Sequence, residues 1–564
     1  MHDNSWMSDN EPTSEHGPQP DHASWRLSGE LLSGGSGSDM LASGPGDMLA
    51  SGSVERPRRN LAAIVVSLIA VLAVIGGGVA YVGYHKLASS GAQPDQWAPA
   101  SSIAYIKIDL DPAASEKIAA LRFEQKFPDA PHVTSADQLK DALLSAAFDR
   151  PSSDIDYATD IKPWLGDRVA IAVYPDSSGK AQPVGILQVK DATAAQADLT
   201  KLIHAASTDS TASTPGFEIE GDYAVVGPSQ AAVTAAVAAA RTSNITASNQ
   251  YASDVATLGG DRIVTAWADL GALGKYASKS GALTGAGALG LSGNSGLGDL
   301  SRLGGGSGFG NLGSLAQLGG AQGLTTNTLK GRLVLGLELQ AGYASISGRV
   351  VGADVSGVQN GDAGTLLAQL PSGSVAGVAV SGLGAIISKE LTKLESGPLG
   401  ALGVKGEMDA LGAKLGISLP GDAINLLGSD VAAGLDSVPA AHGKAKFTAI
   451  TEPTDAAQGL KTSQALAGLM TASGTPATAT ASGSNVVITN DAAASGALGN
   501  DAGFKSAMSG MPDKVVAAAY VNLAGIWPTL GSKVPSDIQH LTGIGTYEAL
   551  DGSDVTFAVR VTVN

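Results

Sequence analysis

LGDRVAIAVYP, residues 165–175, and LGSDVAAGLDS, residues 427–437, are the two stretches of sequence that decide the fold. The first is predicted to be a β-strand by its pattern of apolar side chains, and the second matches it. Their similarity indicates that one structural unit occurs twice in the chain.

Further segments repeat around these two strands in the same order. They are a strand leading into a helix, the strand already quoted, a strand followed by a helix, a hairpin, and a last strand entering a helix. In the first unit they occupy residues 102–110, 165–175, 183–202, 217–227 and 261–273. Their counterparts are residues 374–386, 427–437, 446–466, 479–490 and 513–526. Five matches in one order favour duplication over a chance likeness of Ala-rich segments.

Long strands are predicted at the end of each unit. Residues 332–340 and 343–352 close the first unit, and residues 554–563 close the second. Their alternation is typical of half-buried antiparallel strands. The predicted fold class is therefore α+β, a duplicated module with mostly antiparallel sheets and helices on one face of each sheet. The two units are placed at residues 94–353 and 364–564.

A Gly- and Leu-rich insert, residues 280–324, interrupts the first unit. It is too apolar for an ordinary solvated linker and too rich in Gly for a stable helix. We expect a mobile apolar flap, and the alternative is an insert without a role.

The first 59 residues are predicted to be a disordered, acidic, cytoplasmic tail. Ser, Gly, Pro, Asp and Glu dominate this segment, which cannot bury enough apolar surface to fold. The hexapeptide DMLASG occurs in it twice, at residues 39–44 and 47–52. The repeat is either slippage in a low-complexity tail or a docking motif for a cytoplasmic partner.

Residues 61–84 form an uncharged run that predicts a single transmembrane helix within residues 60–86. Arg56, Arg58 and Arg59 precede the run and favour a cytoplasmic N-terminus, so the prediction is a single-pass signal anchor with the following region extracytoplasmic. A cleaved signal peptide and a buried core helix are the alternatives. Small residues at four-residue spacing in the run could support a homodimer through this helix.

Composition excludes several classes of function. The chain has 35 Lys and Arg against 52 Asp and Glu, a net charge of −17, which argues against nucleic acid as a partner. It has no Cys, which excludes disulfides, zinc–thiolate sites and thiol catalysis.

The search for catalytic motifs finds none with the required context. GFGNLG at residues 308–313 matches a dinucleotide-binding pattern, but it lies inside the Gly-rich insert with no strand before it. No P-loop and no nucleophile elbow occurs, and the eight His residues form no close pair. We therefore predict no catalytic, cofactor-binding or metal-binding residues, no cofactor and no enzymatic activity.

Two groups of carboxylates are the nearest approach to a site. Asp109 and Asp111 could do acid–base or metal chemistry, but they are interpreted as ending a strand and capping a helix from Pro112. The equivalent Asp269 and Asn522 support capping, since each precedes a Leu and a helix. DIDYATD, residues 154–160, lacks the ligand and the Gly that a calcium loop needs and is interpreted as a solvated loop.

The order of tail, membrane run and the segments PDQWAPASSIAYIKIDLDPAASEKIAAL (residues 94–121) and KFPDAP (residues 126–131) resembles a known family. It is similar to actinobacterial membrane-anchored proteins catalogued as domain of unknown function 3352, over about residues 94–564. The resemblance implies a membrane-anchored extracytoplasmic protein. It implies no catalytic residue, cofactor or ligand.

Three hypotheses for the function follow. The first is a membrane-anchored binding or scaffold module of the cell envelope, in contact with membrane lipid and taking an apolar or cell-wall ligand. The second is a cell-envelope enzyme whose polar residues meet only in the fold. The third is a signalling protein that uses its cytoplasmic tail.

Overall fold

The computed structural model describes most of the chain from residue 92 onward. The described ranges are residues 92–110, 157–206, 214–260, 262–280, 330–355, 357–396, 404–437, 445–530 and 537–564, with six further single positions, Ala119, Arg122, Phe123, Lys126, Phe127 and Val534. The predicted tail and membrane run, the insert at residues 281–324 and the pattern at residues 308–313 lie outside them.

Sixteen strands are found in these ranges. The first eight are β1 (Ala104–Asp109), β2 (Leu165–Pro175), β3 (Ala181–Val189), β4 (Gly216–Glu220), β5 (Tyr223–Gly227), β6 (Val264–Asp269), β7 (Arg332–Gln340) and β8 (Tyr343–Val351). The others are β9 (Ala376–Ser381), β10 (Asp430–Ser437), β11 (Lys446–Glu452), β12 (Thr478–Ser482), β13 (Asn485–Thr489), β14 (Ala517–Val521), β15 (Leu541–Asp551) and β16 (Asp554–Val563).

Twelve α-helices accompany the strands in the described ranges. They are α1 (Tyr157–Asp160), α2 (Ala192–Ala206), α3 (Gln230–Thr242), α4 (Asn249–Ala256), α5 (Leu270–Ser280), α6 (Ala363–Gln369), α7 (Leu383–Ser396), α8 (Val404–Leu415), α9 (Gly421–Leu427), α10 (Ala456–Ala472), α11 (Ala502–Ala507) and α12 (Leu523–Leu530). None of the helices in the described part of the chain is both long and apolar enough to cross a membrane.

All sixteen strands belong to one antiparallel sheet, so the prediction of separate sheets is wrong. The order is β12-β13-β11-β10-β9-β14-β15-β16-β8-β7-β6-β1-β2-β3-β5-β4. Strands β8 and β16 would each be the long, unpaired edge of a separate sheet. They pair with each other instead, which satisfies their backbone groups and removes two exposed edges.

The strand order of one half repeats in the other. Outward from the centre, the first half runs β8-β7-β6-β1-β2-β3-β5-β4, and the second runs β16-β15-β14-β9-β10-β11-β13-β12. The quoted strands β2 and β10 therefore hold equivalent places. The division into domains at residues 94–353 and 364–564 stays a prediction, since the sheet itself is continuous.

A local two-fold relation joins the halves at the centre of the sheet. Hairpin β7–β8 and hairpin β15–β16 correspond, with Tyr343 and Asp554 opening their second strands. With this correspondence Ala344 matches Val555, and Val350 matches Val561. The observed pairs are Ala344 with Val561 and Val350 with Val555, so exchanging the halves preserves the register.

Helices pack on both faces of the sheet, not on one face as predicted. We call face A the side of Tyr105 and Ala170, where helices α3 and α4 pack on the first half. Helices α6 and α11 pack on the same side of the second half. Face B is the side of Ile108 and Val169, where α1 and α2 pack on the first half. Helices α9 and α10 cover face B of the second half around Val486.

Candidate functional site

The candidate site lies on face B, at the centre of the sheet where the two halves meet. Its residues share one feature, namely that they stand side by side on the four central strands between the helices of the two halves. We call this set the central floor: Leu335, Ile346, Thr546, Glu548, Phe557 and Val559. One row across the strands is Leu335, Gly348, Phe557 and Glu548, and the next contains Ile346, Val559 and Thr546.

Two large apolar side chains of the central floor are exposed beside each other. Ile346 of β8 is opposite Val559 of β16 in the register, and they are 36% and 40% exposed. Strands alternate their side chains between faces, so both point away from face A. An exposed cross-strand apolar pair at the centre of a sheet is a surface that another apolar group can cover.

Gly348 shapes the central floor beside this pair. An added Cβ at Gly348 would lie 2.8 Å from Cζ of Phe557 and 2.9 Å from Cβ of Leu335. The absence of a side chain thus lets the Phe557 ring lie across β8 towards Leu335. The result is a low, apolar surface that includes an aromatic ring.

Glu548 of β15 is the one ionisable member of the central floor. It stands opposite Phe557 on one side and Ala517 of β14 on the other. Among the described residues, no side chain forms a hydrogen bond or an ion pair with its carboxylate. Burial raises the pKa of Glu548, because removal from water disfavours the charged form and no cation compensates.

The floor is shallow next to Glu548 because its neighbours are small. Ala517 and Ala519 of β14 and Thr546 of β15 lie on the same face, and each keeps part of its surface exposed. Among the described residues, the neighbours of the Glu548 carboxylate on β14, and Thr546 along β15, are therefore small. This geometry suits an extended apolar group with a polar end near Glu548.

A second polar cluster lies on face A of the second half. Oxygen atoms of Asp362, Asp430 and Glu452 lie within 4.8 Å of one another, and carboxylates of this kind can hold a divalent cation. Lys514 Nζ is 3.0 Å from Asp362 Oδ2 and supplies positive charge there. Ser381 Oγ donates to Asp430 Oδ1 at 2.6 Å. The cluster is thus already linked by protein contacts.

The carboxylates singled out in the sequence have structural contacts. Asp109 is buried at the end of β1, where Arg168 Nε donates to its Oδ2 at 3.0 Å. The helix it was expected to cap, and Asp111, lie outside the described residues. Both equivalent caps are confirmed: Asp269 accepts from the Ala272 amide at 2.8 Å, and Asn522 accepts from the Gly525 amide at 2.9 Å.

Of the sequence 154–160, only α1 is described, and in it the Asp160 carbonyl accepts from Trp164 Nε1 at 2.8 Å.

Sequence reasoning missed the central floor and the acidic cluster, because their members are distant in the chain. The usable signal for Glu548 was a carboxylate within the otherwise uncharged stretch LTGIGTYEAL, at residues 541–550.

The fold and the central floor define a class of protein: an α+β chain with two equivalent halves and an apolar surface at their junction. Residues 64–282 match the family model described as a protein of unknown function, DUF3352. The match supports the predicted domain of unknown function, and it covers the first half as far as α5. No curated protein matches the chain, and no solved structure matches it.

Proposed function

We propose that this protein is a binding module that takes an apolar, lipid-like ligand on the central floor. The observation that carries the proposal is the exposed pair of Ile346 and Val559 at the junction of the halves. Covering an apolar side chain gains roughly 25 cal/mol for each Å² removed from water. An alkyl chain laid along β8 and β16 would cover this pair together with Phe557 and Leu335.

Photolabelling of the full chain tests this proposal. The probe is dodecanol with a diazirine at its chain end, and unlabelled dodecanol is the competitor. We expect saturable labelling of peptides from β8 and β16. Val559→Asp should weaken labelling about tenfold or more, because the new carboxylate would lose water on contact with the chain.

The matched control is Leu469→Asp on α10, where an apolar side chain is 50% exposed but lies outside the central floor. This variant should label like the unmodified protein. Equal loss in both variants, or labelling that dodecanol does not displace, would contradict a binding site on the central floor.

Localisation at the cell envelope is a separate proposal. It is supported by the sequence alone: the uncharged run of residues 61–84 with Arg56, Arg58 and Arg59 before it. The N-terminus would lie in the cytoplasm and the sheet outside. Protease added to intact spheroplasts should then digest the chain beyond Lys86 and spare the tail, whereas protection of the large region would refute this arrangement.

A further inference from the structure

The position of Glu548 in its strand does not require a carboxylate side chain. In the first half, hairpin β7–β8 places Leu337 at the equivalent position, and Leu337 is buried. The same backbone site therefore accepts an apolar side chain. A carboxylate without a partner on this face disfavours folding at neutral pH, because its charge is partly removed from water.

The surroundings of Glu548 fit a cation. The Glu548 carboxylate is partly buried and has no ion-pair partner among the described residues, so a cation would compensate its charge. The small neighbours Ala517 and Thr546 leave room beside the carboxylate. The exposed apolar pair, Ile346 and Val559, is the next cross-strand pair on the same face, two residues along each strand from Gly348 and Phe557.

We infer that the ligand of the central floor is a cationic amphiphile, with an ammonium group at Glu548 and an alkyl chain over Phe557, Ile346 and Val559. This inference rests on the proposed function and specifies its ligand class. An ammonium group would give the carboxylate its missing ion-pair partner. A fatty acid would instead bring a second negative charge to the same place, and an alcohol would supply only a neutral hydrogen bond.

The experiment compares two photoactivatable probes of equal chain length on the full chain, dodecylammonium and dodecanol, each with a diazirine at the chain end. We expect dodecylammonium to label β8 and β16 at about tenfold lower concentration than dodecanol, at neutral pH and low salt. In Glu548→Gln, the two probes should label at similar concentrations, because the carboxylate that favours the ammonium group is gone.

Glu338→Gln is the matched control, since Glu338 lies on face A of β7 and pairs with Arg262. It should keep the preference for the ammonium probe. If dodecanol labels the central floor and dodecylammonium shows no advantage, the cationic ligand is refuted and the binding module stands. If neither probe labels it, the proposed function itself fails.

Discussion

The two halves of the sheet share a strand order but differ in the polar contacts inside them. In the first half, Asp109 of β1 and Arg168 of β2 form a buried ion pair. At the equivalent register position of the second half, Ser381 of β9 is opposite Asp430 of β10, and a neutral hydroxyl donates to the carboxylate. The two halves thus share the path of the backbone more strictly than the charges that the sheet encloses.

A second pair of equivalent positions shows the same difference. Asp254 of α4 is buried, and it accepts hydrogen bonds from Arg332 Nε at 2.7 Å and from Trp267 Nε1 at 2.8 Å. In the second half Ala507 of α11 and Gly543 of β15 stand at the corresponding positions. Small residues allow closer packing of helix on sheet there, whereas the first half depends on charged contacts.

Breaking the Asp109–Arg168 pair should produce the largest effect. Arg168→Met leaves the buried Asp109 carboxylate without this cation, and we expect a loss of about 3–5 kcal/mol in the free energy of unfolding. The measurement is urea denaturation of the full chain.

Asp430→Asn is the counterpart in the second half, where Ser381 can still donate to the amide oxygen. We expect this variant to lose only about 0.5–1.5 kcal/mol. If both variants lose the same free energy, the halves do not differ in the way their interiors are stabilised.

The close packing of α11 predicts the next largest effect. Gly545 of β15 corresponds to Val334 of β7, because the first stands opposite Tyr520 and the second opposite Trp267. A Cβ at Gly545 would lie 2.4 Å from the Ala507 carbonyl oxygen. Gly545→Val should therefore destabilise the protein by about 1–3 kcal/mol, although valine is the residue of the first half.

Thermal unfolding measures this effect. Gly406→Ala on α8 is the control for glycine replacement as such, since a Cβ there meets nothing within 4 Å. A Gly545→Val protein as stable as the original would show that α11 can move away from the sheet without cost.

Glu548 should make the stability of the second half depend on pH, whereas the equivalent residue of the first half, Leu337, has no charge. Because burial raises its pKa, the folded state keeps the proton over a range where the unfolded state loses it, and stability falls as the pH rises through that range. Glu548→Gln should raise the melting temperature by about 1–2 °C at neutral pH and by less below the ordinary glutamate range.

Leu337→Gln tests whether the position itself accounts for this result. It puts the same amide at the equivalent buried site of the first half, and it should lower the melting temperature at every pH. A pH-independent effect of Glu548→Gln would show that the Glu548 charge is not the cause.

Much of the fold could be predicted, because local pattern and repetition reinforced each other. Strands β2 and β7 have the predicted bounds, and the hairpins and caps follow from their sequences. Strand β15 was not predicted, because Gly543 and Gly545 are poor strand formers. Glycine is needed at these positions because Tyr520 and Ala507 pack closely against them. The single sheet was not predicted, because no local sequence pattern indicates that β8 and β16 pair with each other.

The candidate site could not be predicted, because it depends on register across strands from both halves. Glu548 meets Phe557 within one hairpin, but Ile346 reaches Val559 only through the pairing of β8 with β16. The Asp109–Arg168 contact also needs the partner strand. Chain order alone favoured a helix cap for Asp109, because it ends a strand shortly before Pro112.

The helices that follow β3 and β11 allow the finest comparison. Asp191 and Asp455 cap them in the same way, each accepting hydrogen bonds from two amides of the first turn. By this correspondence, Ala195 of α2 and Gly459 of α10 occupy equivalent positions in their helices. Ala195 is fully buried, whereas a Cβ at Gly459 would lie 2.4 Å from Cγ of Pro453.

Replacing the two glycines of α10 should therefore give opposite results. At Gly468 an added Cβ meets nothing within 4 Å, so Gly468→Ala should stabilise the protein by about 0.5–1 kcal/mol through the loss of backbone freedom in the unfolded chain. Gly459→Ala should destabilise it, because the methyl group meets the Pro453 ring. Urea denaturation of both variants measures the contrast. If Gly459→Ala is also stabilising, then α10 can move outward as far as α2 does, and the two halves pack their helices alike on face B.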